Sequence, residues 1–203
     1  MARLIALKQT APERFLARFD TGEELRTTLA VVTDYHLSCG RELTAAELDA
    51  LRAASERSRC RQRALRIIGT RAMSVKELTD RLKEKGESPE NAEDAAAWLE
   101  QMHLLDDAQY AAMCVRHYAA KGYGQARIKQ ELRRHGVPRE MWDEALEQMP
   151  EQDEYLERFL RTRLTDSHDR AQIKKVSDAL FRRGYSWEQI KHALNEYDTQ
   201  GDF

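Results

Sequence analysis

The hydrophobic pattern divides the chain into a short N-terminal part and a longer C-terminal part. Residues 14–19 alternate with a period of two and are followed by a turn-forming tetrad, which together indicate a β-hairpin. Residues 4–8 and 24–28 can extend this hairpin on either side. The pattern therefore predicts a three-stranded antiparallel meander, followed by a short helix over residues 29–37 that Cys39-Gly40 would end.

A capping motif marks the next helix. Thr44 and Glu47 have the spacing at which a hydroxyl and a carboxylate bond each other's backbone N–H groups at a helix start. We expect the helix to continue to about Ile68 and to stop at Gly69.

From about residue 57 onward the apolar pattern repeats three times. Each copy ends in a glycine, at Gly86, Gly136 and Gly184, so that the glycines are 50 and 48 residues apart. An apolar residue lies eight positions before each glycine and a leucine four positions before it, which places both on one helical face. These pairs are Leu78 and Leu82, Ile128 and Leu132, and Val176 and Leu180. We expect each glycine to end its helix in the left-handed conformation.

Each glycine-ended helix lies between two other helical segments. Start signals follow the glycines at Ser88-Pro89, Pro138 and Ser186, and Asp106 should cap the first helix of the middle copy. Units of roughly fifty residues bury little apolar surface alone, so they should stack. The predicted fold is mainly α, with three tandem three-helix repeats in an elongated array after the small N-terminal β-meander and its helix. The expected domains are residues 1–56, 57–106, 107–150 and 151–203.

Aromatic residues concentrate in these helices. We expect the three tryptophans, Trp98, Trp142 and Trp187, to pack in the core. A second set could stack on nucleic-acid bases or pack between helices, and the sequence leaves both roles open. This set contains Tyr118, Tyr123, Phe181 and Tyr185.

Composition narrows the class of protein. The longest uninterrupted apolar stretch is the six residues 110–115, far short of the roughly 20 that span a bilayer. The N-terminus lacks the apolar region of a secretory signal, so a cytoplasmic protein without membrane contact is expected. The three cysteines match neither a metal pair nor a disulfide framework.

Charge is segregated although the net charge of the 203 residues is only −2. The three glycine-ended helices carry +1, +3 and +3, whereas the helices that follow them carry −4, −3 and −2. Residues 57–71 add six arginines and no acid. One interpretation is that basic and acidic helices simply pair at the surface, where ion pairs contribute little. The other is a basic ridge that meets a polyanionic or nucleoprotein surface.

Catalytic motifs are missing. The sequence contains no GxxxxGK[ST], GxGxxG, GxSxG or HExxH, and its six histidines are scattered. The adjacent acids Asp106 and Asp107 fit a helix cap better than an acid–base pair. Neither enzymatic activity, catalytic residues, a metal nor a cofactor is expected.

The middle repeat resembles the RecX regulatory family, and the resemblance extends over roughly residues 57–200. The first repeat contributes Ser74, Glu77-Leu78, Leu82 and Lys85-Gly86, and the third is weaker. Gln125 departs from the proline often found at that position. The residues that carry the resemblance are Leu105-Asp106-Asp107, Tyr110-Ala111, Gly124-Gln125-Ala126-Arg127-Ile128, Glu131-Leu132 and Gly136-Val137.

The resemblance implies a monomeric regulator of the RecA recombinase. Such a protein binds in the groove of the RecA filament on single-stranded DNA and lowers its ATPase, strand-exchange and coprotease activities, and so modulates DNA repair and the SOS response. Single-stranded DNA would be met within the filament, or directly and weakly. The expected contacts are the basic residues of the second and third repeats: Arg116, Lys121, Arg127, Lys129, Arg133, Arg134, Lys174, Lys175, Arg182 and Arg183.

Two alternatives remain open at this point. The chain could be an autonomous DNA- or RNA-binding array without a RecA partner, which would bind naked DNA with a steep salt dependence. It could also be a helical scaffold for an unrelated protein, which would neither bind DNA nor inhibit RecA.

Overall fold

The N-terminal segment folds as a four-stranded antiparallel sheet in the computed structural model, which describes residues 1–166 and 168–200. Three strands, β1 (Ala2–Ala11), β2 (Arg14–Phe19) and β3 (Glu24–Thr28), form the expected meander. The meander prediction was incomplete, because a two-residue strand β4 (Glu42–Leu43) pairs with the start of β1 and gives the order β3-β2-β1-β4. Such a short strand has no pattern of its own and forms only where the tertiary fold brings it to an edge.

The helix after the meander ends earlier than predicted. Helix α1 covers Leu29–Asp34, and the expectation that Cys39-Gly40 ends it was wrong. His36 takes the left-handed conformation with φ of 46°, and its N–H donates to Thr33 while that of Leu37 donates to Val32. A non-glycine residue therefore supplies the turn that usually requires glycine.

Helix α2 (Ala45–Ile68) begins at the predicted capping box. The Thr44 hydroxyl accepts from the Glu47 N–H at 3.2 Å, and the Glu47 carboxylate accepts from the Thr44 N–H at 2.7 Å. The first half of α2 buries Leu51 against the sheet, and its second half buries Cys60 and Ala64 in the first helical repeat. One helix thus joins both parts into one compact unit, residues 1–105.

The first repeat is completed by α3 (Val75–Glu84) and α4 (Pro89–Gln101). Residues 106–203 form a second compact unit. Its described helices are α5 (Asp107–Ala120), α6 (Gln125–Arg134), α7 (Trp142–Glu147, after a 3-10 turn at Arg139–Met141), α8 (Asp153–Arg163), α9 (Arg170–Arg182) and α10 (Trp187–Gln200). The mainly helical fold with an N-terminal antiparallel sheet is confirmed. Within the described ranges, no helix is both long and apolar enough to cross a membrane.

The three glycine-ended helices close in the same way. Gly86, Gly136 and Gly184 have φ of 84°, 71° and 92°, as predicted. In each copy the residue after the glycine donates its N–H to the leucine carbonyl four positions before the glycine, at 3.0 to 3.3 Å. These leucines, Leu82, Leu132 and Leu180, are fully buried. The motif satisfies carbonyls at the helix end while the same leucine packs in the core.

Four clusters of buried side chains occur in the described residues, one in the N-terminal segment and one in each repeat. Trp98 and Trp142 pack against theirs, as expected. Trp187 does not: its surface is 63% exposed, so core packing was wrong for this tryptophan. Cys60 and Cys114 are buried, whereas Cys39 is exposed.

The second and third repeats contact each other through backbone. The Gly124 N–H donates to the Arg183 carbonyl at 2.8 Å, and the Ala126 N–H donates to the Gly184 carbonyl at 3.1 Å. A Cβ atom on Gly124 would lie 2.4 Å from the Gly184 oxygen, and one on Gly184 would lie 2.3 Å from the Arg127 nitrogen. Glycine is therefore required at both positions for these two backbone segments to approach each other.

Candidate basic contact surfaces

The predicted contact residues of the second repeat lie on α5, on α6 and in the turn between them. Three of them engage acidic groups: Lys129 lies 3.6 Å from Asp143, and Arg127 and Arg134 both pair with Glu131. Arg116 and Arg133 are exposed and have no ion pair among the described residues. Lys121 is exposed and places its ammonium 5.5 Å from the centre of the Tyr118 ring.

Glu131 is a carboxylate of which only 7% of the side chain is exposed, held between two arginines. Arg127 lies 3.0 Å from its Oε1 and Arg134 lies 2.7 Å from its Oε2. Arg134 also donates to the Tyr118 hydroxyl at 3.3 Å. This hydrogen bond, together with the charge of Glu131, raises the pKa of Arg134. Burying a carboxylate without such partners would cost folding free energy. Both arginines therefore stabilise the fold, although parts of their side chains are exposed to solvent.

An aromatic stack lies beside these cations. Tyr118 and Tyr123 are half-buried and nearly parallel, with ring centroids 5.8 Å apart and an angle of 6° between their planes. Arg127 lies 5.8 Å from the Tyr123 ring centre. The Tyr118 hydroxyl also lies 3.0 Å from the Nε2 atom of His135, whose Nδ1 atom lies 3.2 Å from the Tyr110 hydroxyl. These contacts fix both tyrosines by packing and leave part of their surface open.

The predicted residues of the third repeat divide into two groups. Lys174, Lys175 and Arg182 are exposed on α9 without an ion pair among the described residues. Arg183 is instead directed toward the second repeat, where it donates to the carbonyls of Lys121 and Gly122 at 3.2 and 3.4 Å. Its guanidinium also lies 5.8 and 5.4 Å from two ring centres of α8, those of Tyr155 and Phe159. Arg183 therefore holds two repeats together.

The aromatic residues of α9 and its C-terminal turn differ in exposure. Phe181 is 64% exposed beside Arg182, so its ring is open to a partner. Tyr185 is 2% exposed and donates to Gln152 at 3.1 Å, so of the two roles that the sequence left open it has the packing role. Burial, and then the neighbouring Tyr155, raise the pKa of the Tyr185 hydroxyl.

Pairing between basic and acidic helices accounts for part of the charge pattern. Lys83 of α3 lies 3.2 Å from Glu93 of α4, and Arg61 of α2 lies 2.9 Å from Asp94. Such pairs leave Arg116 and Arg133 unmatched, together with the three predicted contact residues Lys174, Lys175 and Arg182 of α9. We call these five residues the α5–α9 cation set: Arg116, Arg133, Lys174, Lys175 and Arg182.

A second basic region, absent from the predicted contacts, lies in the first unit. It is a cleft of about 1230 Å³ between the sheet and the helices α2 and α3, which we call the α2 cleft. The run of arginines in residues 57–71 was the only sign of this cleft in the sequence. Only the tertiary fold brings these arginines close to basic residues of the strands. The charged side chains that line it are Arg14, Arg26, Arg59, Arg63, Arg66, Arg81, Lys85 and Glu84.

Metal binding has no support in the part of the chain that the structure describes, since it contains no cluster of three or more histidine, cysteine, aspartate or glutamate residues able to hold an ion.

Comparison with known proteins places the helical repeats in one family. The model of the first three-helix domain of RecX matches residues 60–99, and that of the second matches residues 106–146. A regulatory protein RecX from Stenotrophomonas maltophilia is 36% identical over 140 residues, which cover 68% of this chain and 85% of the relative. One from Vibrio cholerae is 34% identical over 145 residues, covering 69% and 94%.

Solved structures extend the similarity to the N-terminal sheet. A crystal structure of regulatory protein RecX superposes with a TM-score of 0.76 at 25% identity and covers 96% of this chain and 100% of its own. RecX from Lactobacillus salivarius shares the fold, with a TM-score of 0.62 at 22% identity over 72% of this chain and 99% of its own. Identity above 30% across most of a relative's length, with two domain models matching at successive repeats, shows that the chain belongs to the RecX family of regulatory proteins.

Proposed function

We propose that this protein regulates the RecA recombinase by binding in the groove of the RecA filament on single-stranded DNA. Bound there, it inhibits the ATPase, strand-exchange and coprotease activities of RecA and so modulates DNA repair and the SOS response. Membership of a family of regulatory proteins supports the regulatory role. The choice of contact residues is supported by the α5–α9 cation set, whose exposed charges have no ion-pair partner among the described residues.

The chemistry of these cations suits a nucleoprotein polymer. Arginine forms bidentate hydrogen bonds with phosphates and carboxylates, and both groups line a filament of protein and DNA. Cations already paired within the protein contribute less, because binding must first break the internal pair. We therefore rank Arg116, Arg133, Lys174, Lys175 and Arg182 above Lys129, Arg127 and Arg134 as contacts, and assign Arg183 to the fold.

A titration of DNA-dependent ATP hydrolysis by RecA tests the proposal. Substoichiometric to equimolar protein should reduce the rate, and no reduction across this range would refute it. Arg133→Glu should shift the inhibition curve to higher concentration by about tenfold, as expected for a lost charged contact of about 1.4 kcal/mol. Lys191→Glu is the matched control, because Lys191 is also exposed on the second unit and lies outside the cation set.

The same variants separate this function from an autonomous nucleic-acid-binding array. If the protein binds naked DNA tightly and leaves RecA activity unchanged, the array alternative holds. If Arg133→Glu and Lys191→Glu shift the inhibition curve equally, the loss reflects overall charge, and the cation set is not the contact surface.

A further inference from the structure

The α2 cleft concentrates positive charge that the protein itself leaves unbalanced. Arg63 lies 2.8 Å from Glu87, but six other cations that line the cleft have no ion pair among the described residues. Glu84 is the one acidic residue in the lining. These six are Arg14, Arg26, Arg59, Arg66, Arg81 and Lys85. Like charges collected on one concave surface repel each other, and a bound anion would relieve that repulsion.

The positions of these basic residues in the fold favour a polymeric anion as the ligand. They come from β2, β3, α2, α3 and the residue after α3, so they are distributed over five parts of the fold around the cleft. Small-molecule pockets are mostly apolar and have volumes of roughly 300–1,000 Å³. The α2 cleft is larger, at about 1230 Å³, and arginine dominates its lining. This arrangement fits a chain of phosphates spaced along a backbone.

Apolar groups in the lining distinguish a single strand from a duplex. Phe15, Leu16 and Ile67 line the cleft together with the arginines. Phe15 is half-buried, which holds its ring in place and leaves part of it open. Bases of a single strand expose flat faces that stack on such rings, whereas a duplex hides these faces within its base stack.

We propose that the α2 cleft is a direct binding site for single-stranded nucleic acid. The arginines of the strands and helices contact the phosphates, and an unstacked base lies against Phe15. The site is separate from the α5–α9 cation set, because every residue that lines it belongs to residues 1–105. We expect it to bind a single strand in the absence of RecA.

Salt dependence of oligonucleotide binding tests the phosphate contacts. A fluorescent oligothymidylate of about 16 nucleotides is titrated with the full-length protein at several salt concentrations. Neutralising two exposed cleft residues, Arg26→Gln with Arg66→Gln, should reduce the magnitude of the slope of log affinity against log salt by about 1.4, since each single-strand phosphate contributes roughly 0.7. Lys8→Gln with Arg57→Gln is the matched control, because it removes the same charge from the sheet and α2 outside the cleft.

Equal slopes for the two double variants would overturn the proposal, as would failure of the native protein to bind the oligonucleotide. Circular dichroism of both variants verifies that they fold. Phe15→Leu provides a second measurement, since it keeps an apolar side chain and removes the aromatic face. It should weaken binding about tenfold and leave the slope unchanged. Unchanged affinity would exclude the stacking contact.

Competition identifies the class of ligand. A single strand should displace the labelled oligonucleotide at lower concentration than a duplex of the same length. Displacement by polyglutamate at an equal concentration of charge would reassign the cleft to an acidic protein segment and so overturn the proposal. None of these measurements contains RecA, so a failed ATPase titration and a failed cleft assignment are distinguishable.

Discussion

At the scale of single residues, the arginines of this protein differ in what their guanidinium groups contact. Arg183 donates to two backbone carbonyls of the second repeat, and Arg134 pairs with the buried Glu131. Arg133, next to Arg134 in the chain, extends from the same helix without an ion pair among the described residues. The proposed contact role is given to cations of the last kind, because the fold does not depend on them.

Cysteine reactivity should follow burial. Burial raises the pKa of the Cys60 thiol to about 11, with the charge of Glu87 adding to the effect, and its Sγ lies 3.3 Å from the Asn91 carbonyl oxygen. The thiolate is the reactive form, so Cys60 should be inert at neutral pH. We expect a disulfide reagent to modify Cys39 rapidly in the native protein, and Cys60 and Cys114 only in denaturant.

Mass spectrometry of the modified peptides measures this difference directly. Cys39→Ser supplies the control, since it should abolish modification of the native protein and leave the modification in denaturant unchanged. Rapid modification of Cys60 in the native protein would show that the first repeat opens far more readily than its packing indicates.

Acid should weaken the contact between α2 and the β2–β3 turn. Arg52 donates to both carboxylate oxygens of Glu23, at 2.7 and 2.5 Å, and this hydrogen bonding lowers the pKa of Glu23 below its ordinary 4.5. A lowered pKa means that the pair stabilises the fold above the unfolded-state pKa and loses this effect as pH falls through the folded value. The side chains are 40% and 28% exposed, so solvent screens the pair and its contribution to stability is small.

The test compares Glu23→Gln with the native protein in urea at several pH values. The variant should unfold at lower urea at pH 7, and the difference should shrink as the pH falls below 4.5, the ordinary pKa of glutamate, toward the lowered pKa of Glu23 in the folded protein. Glu24→Gln is the control, because Glu24 pairs with Arg18 at 2.6 Å on a more exposed surface. A difference for Glu23→Gln that did not shrink at all as the pH fell would assign its effect to packing.

At the scale of secondary-structure elements, most local patterns predicted their elements, whereas a long-range strand pairing and one helix end were missed. The Thr44 capping box and the C-terminal glycines act within a few residues, so their spacing alone predicted them. Strand β4 depends on pairing with a strand about forty residues earlier, which no local pattern encodes. The end of α1 was missed because His36 adopts a conformation that sequence assigns to glycine.

Substituting two glycines separates steric from conformational requirements. Gly124 has an ordinary φ of −78°, so alanine there is resisted only by contact with the backbone of the third repeat. Gly86 has a φ of 84° and open space around it, so alanine there costs only the left-handed conformation, about 1 kcal/mol. We expect Gly124→Ala to disrupt the contact between the repeats, and Gly86→Ala to lower stability without affecting it.

Amide hydrogen exchange distinguishes the two outcomes. In Gly124→Ala the amide of Ala126 should lose protection, because its partner is the Gly184 carbonyl. In Gly86→Ala that amide should remain protected. Equal protection in both variants would mean that the second and third repeats tolerate a methyl group between them.

The candidate site was predicted only in part, again for physical reasons. Sequence identified the cations of α5, α6 and α9, because charge is visible residue by residue. It could not show that Glu131 neutralises two of them or that Arg183 is held at the second repeat. The α2 cleft was not predicted, because Arg14 and Arg26 lie far in sequence from the arginines of α2.

At the scale of the whole molecule, the net charge of −2 conceals two groups of basic residues, one in each unit. The α5–α9 cation set belongs to the second unit and the α2 cleft to the first. Several acidic residues pair with other cations, as Glu93 does with Lys83 and Asp94 does with Arg61. If the protein binds nucleic acid as proposed, its nearly neutral net charge means that local groups provide the attraction, which favours selective contacts over non-specific binding.

The division into separate cores predicts how the whole chain responds to a cavity. Leu82 and Leu132 are equivalent, fully buried leucines in the first and second repeats, and each belongs to a cluster confined to its own unit. Truncating either to alanine should cost about 2–5 kcal/mol. Because the clusters share no residue, Leu82→Ala should reduce hydrogen-exchange protection chiefly in residues 60–105, and Leu132→Ala chiefly in residues 110–146.

Each variant serves as the control for the other, measured by mass spectrometry under identical conditions. If either substitution lowered protection equally along the whole chain, the repeats would unfold as one cooperative body, and the stability of one repeat could not be altered independently of the others.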